Sequence, residues 1–323
     1  CELVTAEDER AFEETCKRLG LSVDWSLIYE TINEHCRRTS QLTFLDQHPK
    51  GDVYQSEAPT MWDIEFRTAV AQAEVEDRDR PGSYHDIRFQ VDGGAEFQIS
   101  TTRPELLGAC IAVAAHPDDE RYRALFGKTA LTPLFHAPVP IVASPHADPE
   151  KGTGILMVCT FGDQADVDFW KGSGLALRQL SGRDGRLVRV EYGTAPFESR
   201  HPELANATHA ELVGKTTNQA RKRIVELLTA EGSTVSGDHP ALCGAPRAIE
   251  HPVKFYERGT RPLEFVPTRQ WFIKLLDHKQ AFLEQGRKID WYPPYMRTRY
   301  EHWVEGLNQD WCCLLYTSDA ADE

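Results

Sequence analysis

Between residues 85 and 159 the chain alternates apolar and polar side chains in short runs broken by glycine and proline, and few architectures accept that pattern. Ile87, Phe89 and Val91 alternate with polar neighbours, Asp92-Gly93-Gly94 supplies a turn, and Phe97, Ile99 and Thr101 alternate again. A period of two on either side of a glycine turn predicts a β-hairpin. Further short apolar runs follow at 109–114, 139–143 and 155–158, again punctuated by Pro and Gly. This stretch reads as a β-rich domain with few helices.

The flanks read differently. Residues 5–19 predict a helix: Thr5 with Asp8 resembles a capping box, Phe12, Cys16 and Leu19 repeat at helical spacing, and Gly20 ends the run. Asp24-Trp25-Ser26 marks a second helix start, with Ile32, Cys36, Leu42, Phe44 and Leu45 supplying its apolar face. The polar stretch 76–83, containing Pro81-Gly82, reads as a linker. A helix is predicted over 218–230, capped by Thr216 or Thr217, with Ala220, Ile224, Leu227 and Leu228 on one face and Gly232 as its stop. Beyond Gly237 the composition turns aromatic and basic, with Trp271, Trp291, Trp303 and Trp311 in the last third. The order α-rich, β-rich, α/β suggests one domain inserted in another: 1–84, 85–236 and 237–312.

A length of 323 residues suits about two domains. The net charge of −14 argues against a nucleic-acid binder held by bulk charge, though not against a local basic groove. Arg221, Lys222 and Arg223 on one helix, and Arg297 and Arg299 on another stretch, read as solvated faces. No apolar run approaches the roughly 20 residues of a membrane span. The eight cysteines form no C-x-x-C pair, so free thiols are expected rather than a zinc site or a disulfide framework. No signal-peptide pattern is present, which suggests a cytoplasmic protein. Residues 313–323 are similar to translated sequencing-adapter read-through, and both ends read as cut.

Three short motifs carry the chemistry. They are Ser100-Thr101-Thr102-Arg103-Pro104-Glu105, the turn Gly152-Thr153-Gly154, and the corner Thr160-Phe161-Gly162-Asp163-Gln164-Ala165-Asp166. Taken singly each is bland: a strand end before a Pro turn, a glycine turn, and two carboxylates at a helix start. His116-Pro117-Asp118 reads as a capped loop leading into a helix rather than as a general base. In order, and between the flanks 19–26, 69–77, 269–273 and 300–312, the three motifs resemble the valyl-tRNA synthetases. Isoleucyl relatives typically carry Trp where this chain has Glu105, and leucyl relatives carry their insertion elsewhere. Val158-Cys159-Thr160-Phe161-Gly162-Asp163 resembles the actinobacterial branch.

The resemblance implies an α/β chain in which a β-rich editing domain, with a β-barrel-like core and peripheral helices, is inserted in a split Rossmann-type catalytic domain that is only partly present. It implies hydrolysis of mischarged Thr-tRNA(Val), with Asp166 holding the α-ammonium and Asp163 the threonine hydroxyl. A site built to bond a hydroxyl rejects the analogue lacking it, whereas a pocket for valine cannot strongly exclude near-isosteric threonine. Thr101, Thr102 and Arg103 are implied to bind the terminal adenosine and its phosphate, and the amides of Gly152, Thr153 and Gly154 to approach the sugar. Met157 and Cys159 stand where many bacterial members have Lys and Thr, and one face of that strand is expected to line the site. Editing needs no cofactor and no metal. ATP and Mg belong to the parent synthetase, expected to be a monomer whose partners are tRNA(Val), valine and threonine, with no membrane. Its His-x-Gly-His and Lys-Met-Ser-Lys-Ser motifs do not occur in these residues, so valine activation is not expected of them. A free-standing trans-editing hydrolase and a non-catalytic tRNA-binding module are the alternatives; the catalytic-domain flanks count against the first.

Overall fold

The computed structural model describes residues 2–31, 33–70, 74–307 and 310–312, and it divides near residue 54 into two units. The adapter-like residues 313–323 and Ile32 lie outside the described residues. In the first unit, α1 spans Glu2–Arg18 and α2 spans Glu34–Gln47. The second helix does not start at Asp24. That carboxylate accepts from Ser26 N and Oγ, at 3.0 and 2.7 Å, closing a local turn. The helix starts ten residues later, where Asn33 Oδ1 accepts from Cys36 N at 2.8 Å. No residue of α2 is buried, and Phe12, Leu19, Leu27, Leu42 and Leu45 are exposed.

The second unit is mixed α/β and sheet-rich. Its smaller sheet has four strands in the order β11 (Trp311–Cys312), β10 (Glu264–Ile273), β1 (Val53–Asp63), β2 (Thr68–Ala69). The larger sheet joins β4 (Glu96–Thr101), β3 (Val75–Val91), β6 (Thr129–Leu131), β7 (Pro138–Ala143), β5 (Cys110–Ala115) and β8 (Ile155–Cys159) in that order, with β9 (Arg247–Tyr256) also paired to β3. The expected hairpin is β3–β4, in the register Ile87↔Ile99 and Phe89↔Phe97. Ile87, Phe89 and Ile99 are fully buried, because a period of two sends alternate side chains to one face.

Residues 76–83, expected as a linker, are instead strand. They pair with β9 from Glu76↔Phe255 to Ser83↔Ala248. A ribbon of two strands leaves most of its side chains in water, so it tolerates a polar sequence that shows no alternation. Its anchor is the buried Phe255, over which the Arg78 and Arg80 guanidinium groups stack at 4.8 and 5.1 Å. At Gly82 the His251 ring lies 2.8 Å from where a Cβ would stand, so a larger residue there would turn that side chain aside.

No ladder joins β4 to β8, the two ends of the larger sheet, among the described residues. The two strands lie beside one another without a ladder, so in place of the β-barrel-like core expected the described residues form a mixed sheet with no closed barrel. A 3₁₀ helix, Pro104–Ala109, with all six residues buried, carries the chain from β4 to β5, and Leu106 O accepts from Cys159 Sγ at the end of β8. Three helices complete this part: α3 (Gln164–Ser173), α4 (Pro202–Ala210) and α5 (Thr217–Thr229). Thr216 caps α5 in a reciprocal capping box with Gln219. Ala220, Ile224 and Leu228 are wholly buried in the main core with Ile87, Phe135 and Ile141, while Leu227 is partly buried. Two further helices, α6 (Lys279–Gly286) and α7 (Met296–Gly306), follow β10, and the Tyr300 hydroxyl donates to Phe282 O at 2.9 Å. Among the described residues no helix is long and apolar enough to cross a membrane.

Ile224→Ala is expected to lower the free energy of unfolding by about 2–5 kcal/mol, because a fully buried side chain leaves a cavity. Thr216→Ala is expected to cost about 1 kcal/mol through loss of the cap. Urea unfolding followed by far-UV circular dichroism checks both.

Candidate functional site

The first motif lies where β4 ends. Thr101 Oγ1 accepts from Arg103 N at 3.0 Å, turning the chain into the 3₁₀ helix. Arg103 then spreads its fork of donors over three acceptors. Nε donates to Glu105 Oε1 at 3.1 Å, Nη1 to Gly162 O at 3.0 Å, and Nη2 to Glu264 Oε2 at 2.7 Å. The Glu105 side chain is wholly buried and is also bound by both arms of Arg221, at 2.8 and 2.9 Å. The second oxygen of Glu264 accepts from Thr217 Oγ1 at 3.0 Å. Two carboxylates thus face two guanidinium groups. Burial pushes the Glu105 carboxyl up, but the hydrogen bonds and charges of Arg221 and Arg103 outweigh it and hold it below its usual range. For Arg103, burial disfavours the charge, and Glu264 and Glu105 more than restore it.

Arg221 is therefore not on a solvated helix face. Thr217 and Arg221 stand four apart on α5, so both meet the carboxylates from one side of the helix. That spacing, beside the core positions Ala220 and Ile224, is the signal in the sequence that could have identified them. Glu264 carried no such signal.

The corner 160–166 is held by its own carboxylates. Asp163 caps α3, accepting from Asp166 N at 3.0 Å, as a helix start requires. Asp166 turns back: Oδ2 accepts from Gly162 N at 2.8 Å and Oδ1 from Cys159 N at 3.3 Å. Burial and then the neighbouring charge of Asp163 push its carboxyl up to about 8, against those two amides and Arg103. Asp163 itself is exposed.

The glycine turn closes against the first motif. Gly152 has φ +63°, and a Cβ there would lie 2.7 Å from Ser100 Cβ. Ser100 Oγ donates to Asp86 Oδ1 at 2.5 Å, and Arg247 binds both Asp86 oxygens at 3.0 and 3.3 Å. At Gly154, φ is +78° and the Arg121 guanidinium occupies the place of a Cβ. Thr153 Oγ1 donates to Ile155 O, and Thr153 O accepts from the Tyr122 hydroxyl. These glycines admit the protein's own side chains. Thr102 is half-buried beside Arg103. Met157 and Cys159 belong to the main core and do not line a surface, because both faces of β8 are covered. His116 sits in a turn, its carbonyl accepting from Asp119 N and its Nδ1 from Asp118 N, and no α-helix follows it there.

Arg103 against Gly162 and Ser100 against Gly152 link the first motif to each of the other two, which flank β8 at its two ends. Among the described residues no three His, Cys, Asp or Glu side chains are grouped to hold a metal ion. What the corner offers is one solvent-facing carboxylate, Asp163, and a second, Asp166, whose charge depends on pH near neutrality.

The match to known proteins falls on this same segment. Residues 1–314 match the model of the class I tRNA synthetases of the isoleucyl, leucyl, methionyl and valyl group, and the chain belongs to that family. Among curated proteins it is similar to valine–tRNA ligases. That of Thermobifida fusca (strain YX) is 52% identical over 315 residues, 96% of this chain and 34% of the relative. Those of Leifsonia xyli subsp. xyli and Cutibacterium acnes are 51% and 46% identical, each covering 96% of this chain and 35% of the relative. The chain thus spans about a third of the length of the curated relatives it matches.

Glu105→Ala removes the carboxylate of Arg221 and one of the two on Arg103, and is expected to cost about 3–5 kcal/mol, the scale of breaking a buried ion pair. A carboxyl held low stabilises the fold above its unfolded value, near 4.5, and that contribution is lost as pH falls through the folded value. Asp166 works in the opposite direction. With its carboxyl raised to about 8, its contribution declines as pH rises from about 4 to about 8. Asp166→Asn is expected to flatten stability between pH 5 and 8, read from urea midpoints across that range.

Proposed function

We propose that the chain is a segment of a valine–tRNA ligase and that residues 85–236 hydrolyse threonine mischarged onto tRNA(Val). The observation that supports this most is that the first motif touches both of the others, Ser100 against Gly152 and Arg103 against Gly162, the turn and the corner flanking β8. An aminoacyl ester is already activated, so its hydrolysis asks mainly for placement of the ester, the α-ammonium and a water. In this reading the exposed Asp163 accepts the threonine hydroxyl, which valine lacks. The α-ammonium sits against Asp166, which ionises on its arrival. Thr101, Thr102 and the turn at Gly152 border the terminal adenosine.

Arg103 is a positioning residue in this reading. Its donors are engaged by Glu105, Glu264 and Gly162 O, and through that carbonyl it sets the corner that carries both aspartates. Residues 1–84 and 237–312 are read as parts of the parent's split Rossmann-type catalytic domain, in a cytoplasmic enzyme. ATP and Mg²⁺ serve valine activation in that parent. Neither adenylate-forming motif is among these residues, so no step here runs through the nucleotide.

The test is deacylation of Thr-tRNA(Val) and Val-tRNA(Val) by the chain. Threonine is expected to be released and valine retained. Asp166→Ala is expected to lose about a hundredfold or more, the scale of removing one partner of a buried charge pair, while tRNA binding persists. Equal release of both amino acids, or full activity in Asp166→Ala, overturns the reading. Binding without hydrolysis by the unaltered chain favours a non-catalytic tRNA-binding module.

The pH profile is a second check. After subtraction of spontaneous ester hydrolysis, the rate is expected to rise with pH with a midpoint near 8 as Asp166 ionises. In Asp163→Asn the midpoint is expected to move to lower pH, because one of the charges that opposes ionisation is gone.

A further inference from the structure

Cys110 opens β5 and Cys159 closes β8, and the antiparallel register pairs them, with a bulge following between Cys110 and Ala112. Thr160 N donates to Ala109 O at 3.3 Å, which makes the adjacent pair the hydrogen-bonded one. Cys110 and Cys159 therefore hold a non-hydrogen-bonded position, where side chains approach most closely and Cα atoms stand about 4.5 Å apart. That spacing falls within the range a disulfide spans, about 4.4–6.8 Å. Both thiols are buried and free, Cys110 Sγ donating to Ala112 O and Cys159 Sγ to Leu106 O, each at 3.4 Å. The proposed hydrolysis makes no use of either sulfur.

We infer that Cys110 and Cys159 form an oxidisable pair that closes into a cross-strand disulfide when a small hydroperoxide reaches it. One sulfur attacks the peroxide, forming an S–O bond as the O–O bond breaks; hydroxide leaves, takes the thiol proton and becomes water. The second sulfur then attacks the sulfenic sulfur, the S–S bond forms, the S–O bond breaks, and the departing hydroxide takes the second thiol proton. Two thiols and one hydrogen peroxide give one disulfide and two waters. Both sulfurs are buried and reach a peroxide only when the core opens, so closure takes minutes to hours rather than seconds.

The position gives the bond a consequence. Cys159 N is one of the two amides that hold Asp166, and Cys110 O accepts from Arg178 Nη1 at 2.5 Å. The bridge fixes the strand ends on which the Asp163–Asp166 corner stands. This inference depends on the strand register and the burial of both thiols and holds whether or not the corner hydrolyses an ester.

The experiment treats the native chain with hydrogen peroxide, removes the excess, denatures, alkylates free thiols and maps the peptides by mass spectrometry. The expected product is a Cys110–Cys159 linked peptide lighter by two hydrogens than its reduced parts. It should appear while far-UV circular dichroism is unchanged, and dithiothreitol should reverse it. Cys110→Ala is expected to abolish that product. Cys110 and Cys159 peptides that remain separate and fully alkylated while Cys16, Cys36 or Cys243 oxidise overturn the inference. Sulfinic acid at either position in place of the bridge does so as well. If the variant fails to fold, the map of the unaltered chain still decides between these outcomes.

Discussion

Arg103 is buried between two carboxylates, Glu105 and Glu264, and a backbone carbonyl, Gly162 O, and much of this end of the molecule depends on that arrangement. A charge withdrawn from water is tolerable only when it is paired and hydrogen-bonded. The chain meets that condition with groups from four places: the end of β4, the corner before α3, the start of β10 and the first turns of α5. Each partner constrains the others. Glu105 needs Arg221 as well as Arg103, and Glu264 is also held by Thr217. The network therefore ties the larger sheet to β10 and α5 through directional bonds, where apolar packing alone would leave their relative placement looser.

The corner before α3 inherits its position from this network. With Gly162 O held by Arg103, the amides of Gly162 and Cys159 turn toward Asp166, and the carboxylate closes the loop. Asp163 and Asp166 then divide the work of one helix start between a solvent-facing cap and a carboxylate turned inward. The same three-residue spacing that makes a good cap also brings two like charges together, which raises the inner carboxyl. A helix start has in this way acquired a group whose charge changes near neutral pH, the property expected of a site that handles an ammonium or a proton.

Local elements were legible in the amino-acid order because their causes are local. The hairpin 87–101 follows from a period of two and a glycine turn, and α5 from a cap and a helical apolar stripe. The second helix of the N-terminal unit was misplaced because Asp24 and Ser26 make a turn as readily as a cap, and only the backbone beyond them decides which. The strand at 76–83 was invisible because its partner, 247–256, lies far along the chain and neither segment needs an apolar face. The missing ladder between β4 and β8 was also beyond reach, since two strands can lie side by side without pairing and only their placement decides it.

By itself, then, the sequence determined the hairpin, the capped helices, the family to which the chain belongs and the three motifs at issue. These depend on neighbours a few residues apart or on matching residues in order. Only the tertiary structure decided what those residues touch. Arg103 and Arg221 read as a phosphate ligand and a solvated helix face until Glu105 and Glu264 were found beside them. Met157 and Cys159 read as lining until both faces of β8 proved covered. Ion pairs and strand partners join residues more than a hundred positions apart, and the pairing is set by which buried charge finds which counter-charge once the core has closed.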